Sequence, residues 1–560
     1  MGSYTPEPDY GRRLLPVTID EIARDEPEKI WASLPYSDDD LARGYEDITF
    51  GTFANAVNTL AWRIEKDFGK GKDFPTVAYL GAPDVRYHIM QMACAKTGYK
   101  VLFSSYSNSL TGHLALMDKT DASFLMSAST VKIHDILASR PMKHAIISEL
   151  DELLYSPPIK TYPYSKSYEE AKNDPYLILH SSGTTGLPKP IVWTHGAMAA
   201  LDAHCALPEI DEVSGRQRRN ICTHPGNGHR MLTPFMHFHG ISSIVGLCGS
   251  AFGGGVFVPG LRNRLVTRED IFDIIEYSRS TDAFLSPAML EDLANHPDCE
   301  RYVSKLGTVL YGGAPIHHGA GVKISKYTNL QSQWGITESG KVIDLETDPE
   351  DFDYCSWDIK YSGLEFRKQT DDLYEMIMVK NPDSEPYAVY FRREDVDEWN
   401  IGDLWRPHPD LKKAAYTWRF AGRSDDLISY KDGNNFFPVH YELKHSEHEL
   451  IRTAVISGTG HRQGVLVIEL NEPTSDISKQ SEILDRIWTE SIVPINSVAP
   501  ANGQIAKSHI VFSTPDKLFE RNVKGTVARK ATIKKFEQEI EMCYVNYGDK
   551  DMFVQSRFEK

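Results

Sequence analysis

The stretch LHSSGTTGLPKPIVWTHGAM, residues 179–198, follows directly on the apolar stub PYLI, residues 175–178. It crowds hydroxyl residues, glycines and a lysine into one short run after what reads as a strand. Gly183 and Gly186 let backbone N–H groups turn toward an anion with no Cβ in the way. Ser181, Ser182, Thr184 and Thr185 add donors, and Lys189 adds charge. The same composition also suits a plain surface turn. The Walker A pattern GxxxxGK[ST] is absent, and no Gly-Lys pair in the chain is followed by Ser or Thr. Spacing alone leaves both the phosphate loop and the turn open.

Working outward, the chain has 560 residues, 41% hydrophobic and 25% charged, an ordinary globular composition. At roughly 100–200 residues per domain it holds about three to five structural units. A net charge of -17 argues against a nucleic-acid surface, which needs clustered Lys and Arg. Seven scattered cysteines without a CxxC pair read as reduced thiols of a cytosolic, cytoplasmic protein. The first residues, MGSYTPEPDYGRRLL, hold no apolar signal core. Residues 240–261 carry no charge and are long enough to span a bilayer. Their glycine content and Pro259 point instead to a buried helix, a glycine turn and a strand, with no membrane partner.

Strands and helices alternate along the chain. FPTVAYLGA (74–82) reads as a buried strand, VRYHIMQMACAKTG (85–98) as a helix, and KVLFSS as a second strand. The rhythm returns at DAFLSPAMLEDLANH and KLGTVLYGG, which is α/β architecture. From GRSDDLISYKDGNNFFP (422–438) the texture becomes polar and turn-rich, and a charged helical tail follows from about Lys530 to Cys543. The expected boundary lies at 424/425, separating a large domain, 1–424, from a small one, 425–560.

The opening run resembles the phosphate-binding signature of the adenylate-forming superfamily: acyl-CoA synthetases, luciferases and adenylation domains of nonribosomal peptide synthetases. TPFMHFHG (233–240) resembles its substrate-gating motif, YGGAP (311–315) its adenine motif, and QWGITE (333–338) its YGxTE. IGDLW (401–405) resembles TGDL, and GRSDDLI (422–428) resembles the hinge motif GRxDD. Six matches in the family's order, from about Asp174 to Arg529, identify the chain as a member, most similar to adenylation domains of fungal synthetase-like proteins. The resemblance implies a large multi-subdomain α/β adenylation core and a small mobile α+β domain, with Asp425 as the hinge.

It also implies a chemistry. A carboxylate attacks the α-phosphate of ATP, and a phosphopantetheine thiol on a carrier domain then captures the acyl group. The first step spreads negative charge over phosphate oxygens, so positioning and neutralisation dominate. By resemblance, Ser182, Gly183, Thr184, Thr185, Gly186 and Lys189 hold the outer phosphates. Glu338 ligates Mg²⁺, Thr337 meets the α-phosphate and Asp403 the ribose hydroxyls. Gly313, Ala314, Pro315 and Gln333 line the adenine site, and Trp334 stacks there in place of the usual Tyr. Arg423 contacts ribose or phosphate. His237, Phe238, Gly312 and Gly313 form the acid pocket. Amino-acid-activating members usually carry an aspartate where this chain has Phe238. A buried ammonium without a carboxylate partner is costly, so the expected substrate is a carboxylic acid without an α-amino group, an aryl acid.

Two departures stand out. Pro190 replaces the usual glycine after Lys189, which removes an N–H donor. The family's Gly-Lys pair before an arginine is here ERNVKGTVARK (520–530), with the order reversed. Lys524 is the expected catalytic lysine, with Lys530 as the alternative. GTGHRQG (458–464) lacks the spacing of GxGxxG. His440, His445 and His448 lack the partners of a zinc site, and no GxSxG elbow is present. No GxDS-type carrier motif follows, which suits either an excised domain or a free-standing CoA ligase. A catalytically silent binding homologue is the alternative of another class.

Overall fold

The computed structural model describes residues 9–182, 187–219, 228–262, 264–369, 372–381, 388–393, 395–431, 435–521 and 527–549. The chain packs as two units. The first comprises residues 1–313, 323–363 and 379–399; the second comprises 314–322, 364–378 and 400–560. Residues 400–424, which the sequence reading assigned to the large domain, thus pack with the second unit.

Two sheets build the first unit. One runs in the spatial order Lys143–Ile146, Ala122–Ser127, Thr76–Leu80, Lys100–Phe103, Pro175–Ser182, Pro188–Thr194. Its strands are parallel except for the last, which returns antiparallel to Pro175–Ser182. The other runs Asn329–Gln333, Thr308–Gly312, Asp282–Leu285, Arg230–Thr233, Val256–Pro259, Ile30–Pro35, Tyr45–Thr49. It too is parallel until its final strand. Parallel strands need crossover segments that cover both faces, and this explains the near-continuous apolar runs. Thr76–Leu80 is buried along its whole length, and so is the helix Arg86–Thr97.

Residues 240–261 form the helix Gly240–Ser243, a π-helical turn Ile244–Gly249 and, after a glycine run, the strand Val256–Pro259. Among the described residues no helix is long and apolar enough to cross a membrane. The described cysteines are all free.

The second unit contains most of the run Leu364–Lys368, Tyr374–Val379, Glu398–Pro407, Thr417–Arg423, whose first and last pairs are antiparallel. A separate sheet, Ile451–Ser457, Val465–Leu470, Ile510–Phe512, is accompanied by the helices Val439–Ser446, Ile477–Ile487, Arg529–Lys535 and Glu537–Tyr547. Its core is aliphatic, with Ile456, Leu466 and Ile468 fully buried.

Candidate active site

In parallel sheets, ligands bind beyond the carboxyl ends of the strands, because there the loops diverge and leave a crevice. Each candidate motif of the first unit occupies such an end. Ser182 ends Pro175–Ser182, and the gating stretch follows Arg230–Thr233. Gly312 ends one strand and Gln333 the next.

At the phosphate run, the two strands pair Ser181 with Lys189 and Ser182 with Pro188. Gly183, Thr184, Thr185 and Gly186 lie outside the described residues. Lys189 is exposed. Pro190 lies on the outermost strand of its sheet, opposite His180. An edge strand tolerates proline because one side of it needs no ladder partner.

The adenine motif is set by backbone fit. Gly312 pairs with Gln333, and a Cβ on Gly312 would stand 2.4 Å from the Gln333 carbonyl oxygen. Only glycine allows that approach. Gly313 then adopts a φ of +88°, which also favours glycine. Ala314 and Pro315 are half-buried and fall in the second unit.

Beyond Gln333 the chain makes a small hairpin, Gly335–Ile336 against Gly340–Lys341. Trp334 is buried, edge-on to Trp357 at 6.3 Å. Thr337 and Glu338 form the hairpin tip and are half-buried. The Glu338 carboxylate has no hydrogen bond or ion pair among the described residues, so its oxygens are available to a hard cation. That fits Mg²⁺, which takes one or two protein carboxylates and fills its remaining positions with water and substrate phosphates. No cluster of three or more metal-ligating side chains exists among the described residues.

Two side chains that the motif reading missed hold this hairpin. The Trp193 indole N–H donates to the Thr337 carbonyl at 2.9 Å. At the root, the buried Lys341 ammonium donates to Gln333 Oε1, to the Trp334 carbonyl at 3.3 Å and to Asp344 Oδ2 at 2.6 Å. Burial raises the Asp344 pKa, and Lys341 opposes that shift. No sequence pattern marks these residues: the Trp193 contact comes from a separate segment, and Lys341 reaches back across the hairpin.

The gating stretch packs inward. His237 is 3% exposed, and its Nδ1 lies 3.3 Å from Ser242 Oγ. Burial and then the neighbouring His88 drive its pKa well below 6.5, while a hydrogen bond to the Pro83 carbonyl opposes them. Its ring is edge-on to His88 at 5.3 Å. This is a packed, satisfied histidine, and the cavity beside it is only about 10 Å³. His237 lines that cavity with Pro83, Pro234 and Phe235. Phe238 is also buried, with Tyr106 edge-on at 5.8 Å and His180 parallel at 6.4 Å. His180 Nε2 accepts the Ser105 N–H at 3.1 Å. Burial, aided by His113, lowers the His180 pKa to about 4, so the ring stays neutral and can accept. His180 thus joins the phosphate strand to the gate.

In the second unit, Asp403 is 4% exposed and pairs in register with Arg423, at 3.2 Å between side chains. Arg423 also donates to Asp425 at 3.1 Å, and Lys530 meets the other Asp425 oxygen at 2.7 Å. Burial would raise the Asp425 pKa, but Lys530 and Arg423 hold it below the ordinary carboxylate value. Lys524 lies outside the described residues. Lys530, the alternative, stands in the first turn of Arg529–Lys535 and borders an open cleft of about 380 Å³ with Asp425.

Comparisons with known proteins show the family and the fold. The model of the AMP-binding enzyme family matches residues 21–357, and that of the AMP-binding enzyme C-terminal domain matches 425–548. An isocyanide synthase-NRPS hybrid of Aspergillus fumigatus is 31% identical over 96% of this chain and 34% of its own length. A carboxylic acid reductase of Neurospora crassa is 30% identical over 97% of this chain and 51% of its own. The chain thus spans about a third to a half of these relatives. An anthranilate CoA ligase solved with anthranoyl-AMP has the same fold, with a TM-score of 0.69 at 15% identity over 95% of this chain and 98% of that one. The chain belongs to the AMP-binding enzyme family, as an adenylate-forming enzyme.

Proposed function

We propose that the chain activates an aryl carboxylic acid without an α-amino group and passes it to a phosphopantetheine thiol on a carrier domain. The observation that supports adenylation best is the meeting of three motifs at strand ends of one unit. Gly312 registers on Gln333, and the Thr337–Glu338 tip is tied by Trp193 to the strand Pro188–Thr194, which carries Lys189. In the reaction, a carboxylate oxygen bonds to the α-phosphorus and the bridge to the β-phosphate breaks, releasing pyrophosphate. The thiol sulfur then attacks the acyl carbon, the thiol proton is lost to solvent, and AMP leaves.

Glu338 would hold Mg²⁺, which supplies charge neutralisation on the phosphates when bound. Asp403 would accept the ribose hydroxyls and Arg423 would face ribose or phosphate. For His237 to meet a carboxylate, its ring would have to leave Ser242 and Pro83. Asp425 would be the pivot of a mobile segment beginning at residue 425.

Phe238, where amino-acid-activating members usually carry an aspartate, supports an aryl acid together with its neighbours Tyr106 and His180. The NRPS hybrid and the carboxylic acid reductase support a carrier-bound acceptor. The CoA ligase likeness supports the alternative, free CoA. The test offers benzoates and cinnamates beside matched α-amino acids, with a carrier protein or CoA as acceptor, and reads products by mass spectrometry. The expected result is at least about 10²-fold higher kcat/KM for the des-amino acid, because an unpaired buried ammonium costs several kcal/mol. Loaded carrier should exceed acyl-CoA. Equal use of phenylalanine and its des-amino analogue would refute the acid assignment, and faster CoA acylation would refute the carrier.

A further inference from the structure

We infer that Trp193 is a positioning residue for nucleotide binding, a strap that sets the Thr337–Glu338 tip against the strand Pro188–Thr194; this rests on the adenylation reading above. Trp193 lies on Pro188–Thr194, four residues beyond Lys189, and is 2% exposed. Its N–H donates to the Thr337 carbonyl at 2.9 Å. The far edge of the same ring meets the returning arm, where a Cβ on Gly340 would stand 3.1 Å from Trp193 Cη2 and φ is +71°. One indole therefore spans the hairpin from its tip to its return.

The root of the hairpin has its own anchor in Lys341. Within the hairpin, the tip is closed by the Ser339 N–H on the Ile336 carbonyl at 3.2 Å. The Glu338 side chain makes no hydrogen bond or ion pair among the described residues, so its place follows from the backbone that Trp193 holds. An indole N–H is a donor only, so no aliphatic or phenyl ring at 193 can replace this bond. The strand Pro188–Thr194 and the cation-facing tip come from separate segments, and this side chain joins them.

The test measures MgATP binding by calorimetry and adenosine binding by ligand-observed NMR, on wild type, Trp193→Phe and a protein with benzothienylalanine incorporated at 193. The last keeps the indole shape and lacks the N–H, so it guards against a folding defect in Trp193→Phe. The expected result is a Kd for MgATP raised about five- to tenfold, the scale of one lost hydrogen bond, with adenosine changed less than twofold. Unchanged MgATP binding in the benzothienyl protein would overturn the inference. Equal weakening of both ligands would also overturn it, because it would mark Trp193 as packing alone. Failure of the wild type to bind MgATP would instead overturn the adenylation reading itself.

Discussion

Asp344 and Lys341 form a buried pair, with side chains 3% and 8% exposed. Removing one partner of such a pair leaves an uncompensated buried charge, at about 3–5 kcal/mol. Lys341→Met should lower stability by that order in urea titration, and adding Asp344→Asn should restore part of it. An unchanged midpoint in the single variant would contradict this reading. The catalytic lysine is decided by two half-reactions. Removing a charge aimed at a transition state costs about 10²–10³-fold. Lys524→Ala should therefore lose pyrophosphate exchange by that factor and keep thiol transfer from a pre-made acyl-adenylate. If Lys530→Ala loses exchange and Lys524→Ala does not, the assignment reverses. Lys530 is bound to Asp425, whose lowered pKa keeps that bridge intact at neutral pH and loses it only as pH falls through the lowered value. At this scale the sequence carries residue type and order but not direction. His237 was legible as a motif residue, yet its ring turns to Ser242 and Pro83. Trp193 and Lys341 were not legible, because their partners come from elsewhere in the chain or across a turn that no motif encodes.

The element that carries the adenine motif depends on two parallel strands closing without a side chain between them. Gly312→Ala would place a Cβ 2.4 Å from the Gln333 carbonyl oxygen, so one strand must shift. Overpacking of this kind costs about 1–3 kcal/mol. The variant should melt earlier and bind MgATP more weakly. Wild-type melting and binding together would show that the strands are not held as described. Elements were well marked in the sequence where hydrophobic period and turn residues agreed. The strand expected in 74–82 is Thr76–Leu80, the helix expected in 85–98 is Arg86–Thr97, and the helical tail is Arg529–Lys535 followed by Glu537–Tyr547. Sheet order was not legible, because pairing between distant strands leaves no local trace. Pro190 shows the consequence: it looks like a defect in the motif and sits on an outer strand.

Across the molecule, buried and half-buried neutral histidines set a dependence on acid. Burial lowers the pKa of His88, His180 and His204 to about 4 from 6.5. A lowered folded-state pKa means that the unfolded chain binds protons first. Stability is therefore full above pH 6.5 and is lost as pH falls from there toward 4, by about 1.4 kcal/mol per unit for each such histidine. Melting temperature should fall steeply across that window, and a flat profile between pH 7 and 5 would contradict the burial. At this scale the α/β class and the polar transition after residue 421 were legible from composition and rhythm. The division into packing units was not, because residues 314–322 and 364–378 join the second unit across long stretches of chain. The central claim is that strand-end motifs assemble one adenylating site, and acid-dependent exchange of labelled pyrophosphate into ATP tests it most directly. Exchange should appear with an aryl acid and Mg²⁺, vanish when either is omitted, and fall at least about 10²-fold in Glu338→Ala. Absence of exchange across benzoates, cinnamates, aryl pyruvates and fatty acids, with the protein folded and MgATP saturating, would contradict the account.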